Sequence, residues 1–201
     1  MTEVEQTLQQ KVAFLLGPRS IVMRPVEESD IPYLYKWIND PKVRQYLNAY
    51  MPMTMTDEQS WYESLTSRKP KDIILMIEVD GTPIGNMGIH GINMQNGTAT
   101  TGAIIGEKEY WGKGYGSDAK MILLDYAFNT LNLRKIYSTV IAFNERSLKY
   151  SLKCGYKEEG RRKLHHYKKG QYWDDIQLAV FKEDWLPLWE KFVKKHNLDQ
   201  N

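Results

Sequence analysis

Three glycines at alternating positions, Gly112, Gly114 and Gly116, followed by Ser117, have the spacing that most directly implies chemistry in this sequence. They close the run Gly106-Glu-Lys-Glu-Tyr-Trp-Gly-Lys-Gly-Tyr-Gly116-Ser. That run passes from a strand-like stretch, TATTGAII, into the helical pattern Ala119, Ile122, Leu123, Tyr126, Ala127. A helix N-terminus presents unpaired N–H groups and the positive end of its dipole, so it attracts phosphate. With no side chain at the glycines, the amides from Trp111 through Lys113 and Tyr115 to Ser117 can converge on a pyrophosphate as an anion-binding nest. The run is not a Walker loop, because no Gly-Lys-Ser/Thr follows four variable residues. It is not a dinucleotide fingerprint either, since GxGxxG is absent and the preceding strands read as a hairpin rather than a parallel βαβ unit. The plain alternative is a strand-to-helix turn.

A second group lies about 30 residues further on, in NERSLKYSLKCGY. Asn144 can cap a helix through Lys153 that stops at Gly155. Taken with EYWGKGYGSDA, the succession of strand, loop, helix, strand and this second segment closely resembles the GNAT superfamily of acyl-CoA-dependent N-acetyltransferases. The nearest branch in pattern holds ribosomal-protein N-terminal acetyltransferases and bacterial spermidine acetyltransferases. The resemblance covers roughly residues 20 to 183. It implies an α/β (α+β) GNAT fold, a mostly antiparallel mixed sheet of about six to seven strands flanked by helices, with acetyl-CoA as co-substrate and no metal.

By the same resemblance, Gly114 and Gly116 fit the family's loop, while Trp111 stands where Gln or Arg is usual. Ile104 and Ile105 would pair with the pantetheine arm through main-chain groups and help to form an oxyanion site. Asn144 matches the asparagine that binds the pantetheine, and Gly155-Tyr156 the pair that leads into the next strand.

The implied reaction is direct attack of a primary amine on the thioester. An amine with a lysine-like pKa of about 10.4 is almost wholly protonated at pH 7, so a base must take a proton, and the departing thiolate benefits from a donor. The family's tyrosine donor falls at Ser151, with Tyr150 beside it. The two sit about 100° apart on a helix, and position favours Ser151. For the base, the glutamate of some relatives corresponds to about Thr100, and neither Thr100 nor Thr101 accepts a proton at neutral pH. His90 and Glu107 are the remaining candidates.

Other residues carry less. Cys154 reads as a buried small side chain, since direct transfer needs no acyl-enzyme. His165 and His166 on one strand should point to opposite faces, which argues against joint metal ligation. Arg161-Arg162-Lys163 reads as a solvated face, with contact to adenosine phosphates as the alternative. Trp173-Asp174-Asp175 is a candidate acceptor wall. The expected acceptor is a peptide or protein N-terminus, with a polyamine or aminoglycoside, or a non-catalytic acyl-CoA sensor, as alternatives.

The elements that must position these groups are readable in outline. SIVMRPV reads as a strand; Ile31, Leu34, Tyr35 and Ile38 as a helix face; and Thr56 with Gln59 as the capping box of a second helix. DIILMIEV and TPIGNMGI flank the hairpin turn Asp80-Gly81. KIYSTVIA, YKEEGRRKLHHYK and YWDDIQLAVF are further strands, the last two joined at Lys169-Gly170, and DWLPLWEKFVKKH is a closing amphipathic helix. Residues 1–18 read as an N-terminal extension and 19–201 as one domain.

The chain of 201 residues has 27 basic and 25 acidic side chains, a balance that gives no broad attraction to nucleic acid or anionic membrane. A single cysteine cannot make an internal disulfide, and no apolar run approaches the roughly 20 residues of a membrane span. A cytoplasmic protein, monomer or homodimer, is the expectation.

Overall fold

The structure, a computed structural model, describes residues 12–65 and 72–198. One eight-stranded sheet dominates it, in the order β1 (Leu15–Leu16), β2 (Ile21–Pro25), β3 (Ile73–Val79), β4 (Thr82–Asn93), β5 (Thr98–Ile105), β6 (Lys135–Ile141), β8 (Gln171–Phe181), β7 (Lys157–Lys168). Every neighbouring pair is antiparallel except β5 and β6. The helices are α1 (Ile31–Asn39), α2 (Pro41–Arg44), α3 (Met55–Leu65), α4 (Tyr115–Asp125), α5 (Glu145–Lys153) and α6 (Lys182–His196).

The strand beyond the expected six to seven is β1. Leu15 and Leu16, in the stretch assigned by sequence to an extension, pair with Met23 and Val22. Phe14 joins them: its N–H donates to the Met23 carbonyl at 2.9 Å and its ring meets Tyr126 edge-on at 5.1 Å. Residues 1–11 of the expected extension lie outside the described residues.

Local chemistry sets the element ends. Asp80 and Gly81 both have positive φ, 49° and 76°, and turn β3 into β4 as the Asp-Gly pair predicts. In α1 the buried face is Ile31, Leu34 and Trp37, whereas Tyr35 is exposed. The capping box of α3 is Thr54 with Asp57, not Thr56 with Gln59. The Thr54 N–H donates to Asp57 Oδ2 at 2.7 Å and the Asp57 N–H donates to Thr54 Oγ1 at 3.1 Å. A carboxylate one carbon shorter than glutamate still closes the box.

Arg24 on β2 is buried and bound on both sides, to Asp30 at 2.7 and 2.8 Å and to Glu78 of β3 at 2.8 and 2.6 Å. Burial opposes its charge, but the two carboxylates outweigh that and push its pKa upward. The group fixes the start of α1 against the sheet. At the far end, α6 buries Trp185 against Phe128 at 5.1 Å and stacks it on Trp189 at 5.2 Å, so this aromatic segment packs on its own domain. Burying such a side chain contributes about 1.5–3 kcal/mol. No helix among the described residues is long and apolar enough to cross a membrane.

Candidate active site

The site arises where two strands stop pairing. β5 and β6 are in parallel register only from Thr98 opposite Lys135 to Thr100 opposite Tyr137. Beyond that point a cleft of about 1270 Å³ opens, with Thr101–Ile105 on one side and Ser138–Ile141 on the other. Edges freed from their ladder leave main-chain groups for a ligand to pair with. Ile104 and Ile105, expected to meet a pantetheine, line this opening.

At the head of the cleft the glycine loop enters α4. Gly114 is its N-cap in the left-handed region, φ 91°, a conformation that disfavours any side chain there. Among the described residues, no loop or turn carbonyl accepts from the N–H groups of 112–116. Trp111, Gly112, Gly114, Gly116, Ser117 and Asn144 line the cleft. Lys113 and Tyr115 do not: Arg19 bonds the Lys113 carbonyl at 2.9 Å, lies 4.1 Å from the Tyr115 ring centroid and pairs with Asp118. That pairing neutralises an acid placed in the first turn of α4, where it would otherwise weaken anion binding.

Trp111, at the position where Gln or Arg was expected, ties the loop to the sheet. Its Nε1–H donates to the Ile105 carbonyl at 2.6 Å. Arg146 of α5 covers the indole at 3.8 Å from its centroid and lines the cleft. Burial lowers the Arg146 pKa, and among the described residues no carboxylate pairs with it. Free N–H groups and an accessible guanidinium without a counter-ion fit a pyrophosphate, the group that acetyl-CoA would place here. Asn144 accepts from the Ser147 N–H at 3.2 Å, so it caps α5 and faces the cleft together.

The candidate proton-transfer groups separate clearly. Tyr150 lines the cleft, whereas Ser151 is 1% exposed and turned away, because neighbours on a helix project about 100° apart. Of the two, it is Tyr150 rather than the Ser151 preferred by sequence position that faces the cleft. Burial pushes the Tyr150 pKa upward, keeping the phenol a donor. His90 also lines the cleft. Its ring lies over two glycines: a Cβ at Gly88 would stand 2.8 Å from His90 Nε2, and one at Gly102 3.3 Å from it. Asp72 sits at the other ring nitrogen, 3.2 Å from Nδ1. That carboxylate also accepts from the Gly91 N–H at 2.9 Å. Partial burial works to raise its pKa, but these two donors bring it below the ordinary value. An acceptor at Nδ1 favours the tautomer with the Nε2 lone pair facing the cleft.

Glu107 is placed elsewhere. Its carboxylate accepts from Lys36 Nζ at 2.6 Å and Trp37 Nε1 at 2.9 Å, outside the cleft lining, and is a clamp between α1 and the loop. Burial raises its pKa less than these donors lower it, which makes it a poor base. Cys154 is buried, with its pKa pushed up to about 12 by burial, and cannot act as a thiolate at neutral pH.

Residues that sequence reasoning did not select also enter. Glu58 on α3 is buried and lines the cleft with Leu34, Ile38, Met53 and Trp61. Burial, then the neighbouring Asp57, raises its pKa, and among the described residues no side chain pairs with its carboxylate. The available signal was a helix acid on the same face as Trp61 and Leu65, at i, i+3 and i+7. Asp175, from the suspected acceptor wall, lines the cleft with His166, while Trp173 packs on Phe143 at 5.1 Å.

A family model described as an acetyltransferase (GNAT) domain matches residues 20–157. The chain is 27% identical over 172 residues to spermidine N(1)-acetyltransferase of Escherichia coli strain K12, covering 83% of this chain and 89% of that protein. It is 28% identical over 170 residues to an uncharacterized N-acetyltransferase, p20, of Bacillus licheniformis, covering 82% and 94%. In fold it is similar to the crystal structure of spermidine N-acetyltransferase from Vibrio cholerae in complex with CoA and spermine. That likeness has a TM-score of 0.77 at 23% identity, over 83% of this chain and 98% of that one.

Proposed function

The chain belongs to the acetyltransferase (GNAT) family and is an N-acetyltransferase that uses acetyl-CoA; from that premise we propose that its acceptor is a small, aliphatic, cationic amine of the polyamine class. The observation that carries this reading is Glu58: a buried carboxylate without a partner among the described residues, facing an apolar cleft beside Trp61. Such a carboxylate is costly unless a cation joins it, and an alkyl ammonium supplies both the charge and the hydrocarbon that Leu34, Ile38 and Met53 would cover. The spermidine acetyltransferases among the relatives support the same choice over the peptide N-terminus that the sequence first favoured.

In this reading the loop 112–117 and Arg146 hold the pyrophosphate of acetyl-CoA, while the freed main chain at Ile104 and Ile105 with Asn144 holds the pantetheine. Glu58 receives the ammonium. His90, held by Asp72, takes one proton at Nε2, and the neutral amine attacks the thioester carbonyl. The C–N bond forms, the C–S bond breaks, the Tyr150 phenol protonates the departing sulfur, and the resulting phenolate takes the second proton from the acylated nitrogen, while His90 returns its proton to solvent.

The test is Glu58→Gln under steady-state conditions. The KM for spermidine should rise at least about tenfold, from the loss of a charged contact, with the KM for acetyl-CoA unchanged. An unaltered spermidine KM would remove Glu58 from acceptor recognition.

A further inference from the structure

The hairpin of β7 and β8 carries donors that acetyl transfer does not use. Regular alternation would send His165 and His166 to opposite faces of the sheet. It is broken here. The register between the two strands shifts between Arg162 and His166, and Leu164 within the shift has a φ of 49°. The Leu164 N–H donates to Asp174 Oδ1 at 3.0 Å, which pins the bulge. The two imidazoles consequently come together, ring centroids 4.8 Å apart, and His166 Nε2 lies 3.1 Å from Asp175 Oδ1. One donor atom from each of His165, His166 and Asp175 lies within 4.8 Å of the other two. A branched side chain in the left-handed region is disfavoured, and such local strain concentrates where geometry is put to use.

We infer that His165, His166 and Asp175 form a binding site for a divalent transition-metal ion, zinc in particular, at the rim of the acceptor cleft. Two imidazoles and one carboxylate, with a position left for water, are a donor set that zinc accepts. Donors about 2.0–2.1 Å from a tetrahedral ion stand roughly 3.4 Å from one another, so the 4.8 Å spread must close by about 1.4 Å at most. His165 is exposed and can turn to close it. Zinc displaces the Nε2 proton that His166 donates to Asp175; the neutral ring then carries its single proton on Nδ1, and the hydrogen bond is replaced by a metal bond from each residue. Arg162 faces the same carboxylate, with Nη1 3.7 Å from Asp175 Oδ2. It weakens the site without filling it, because Oδ1 is the atom turned to His166.

His166 and Asp175 both line the cleft, so a bound ion adds positive charge where the amine enters. Metal and amine should therefore compete, a consequence that rests on the cationic-acceptor reading; the metal site itself does not.

Calorimetric titration of zinc chloride into the full chain, with no acceptor present, tests the site directly. One equivalent should bind, and binding should be lost in His165→Ala, a surface variant whose metal-free melting curve should match the parent. A second readout is acetyl transfer to whichever amine is turned over. Zinc should raise that amine's KM in the parent and leave it unchanged in His165→Ala. Absence of saturable binding in the parent, or equal binding in His165→Ala, would overturn the assignment whatever the acceptor proves to be.

Discussion

The Arg146 guanidinium stands 3.8 Å from the centroid of the Trp111 indole, so a cation from one helix covers the glycine loop that precedes another. The stacking holds Arg146 in place through its flat face and leaves its edge N–H groups free for an anion. Arg146→Ala is expected to weaken coenzyme A binding about tenfold, in line with about 1.5 kcal/mol for a charged hydrogen bond, with kcat nearly unchanged. Calorimetry with coenzyme A measures this; parental affinity in the variant would take Arg146 out of the phosphate site.

The pairing of His90 with Asp72 gives a kinetic expectation. His90→Gln, which removes the proposed base, should lower kcat by about 10²-fold or more and leave the KM for acetyl-CoA unchanged. Asp72→Asn should produce a smaller loss of kcat, since it alters the tautomer and ring position and leaves the imidazole in the cleft. Rapid-quench measurement of the first turnover distinguishes loss of chemistry from slow product release.

Lys120 sits wholly buried on α4 with its Nζ unpartnered, about 5.7 Å from the Tyr150 and Tyr156 ring centroids. Burial pushes its pKa down from 10.5 to about 7. The unfolded chain therefore binds a proton that the folded chain lacks between these two values. Stability should rise with pH from about 7 to about 10.5 and lose that contribution below the folded value. Lys120→Met should remove the slope and be more stable at pH 7 by an amount on the order of 4 kcal/mol, the gap closing as pH rises. Urea midpoints across this range check it; parallel curves for the two proteins would contradict it.

Arg24, Asp30 and Glu78 give a stability expectation of the opposite kind. Asp30→Ala leaves the buried guanidinium with one partner fewer and should cost about 3–5 kcal/mol. Chemical denaturation reads the change directly.

The parts of the site carried by local sequence were legible: the glycine loop, the Asn144 cap, the Asp80-Gly81 turn and the amphipathic α6. What escaped depended on register or on distant partners. Asp72 meets His90 only because β3 and β4 pair, and Glu107 is withdrawn by Lys36 and Trp37, some 70 residues away. Glu58 showed only a helical spacing shared with Trp61 and Leu65, and its burial follows from the packing of its helix on α1, which the sequence does not display. His165 and His166 defied strand alternation because a bulge intervened, and no turn residue in the sequence announced it.

The central claim is acetyl transfer to a small cationic amine, and its most direct test is acetyl-CoA-dependent thiol release against spermidine, an aminoglycoside, a lysine peptide and peptides with free N-termini. Saturable release with spermidine, without release with the peptides, is the predicted result. Turnover of a peptide N-terminus with none of spermidine would contradict it.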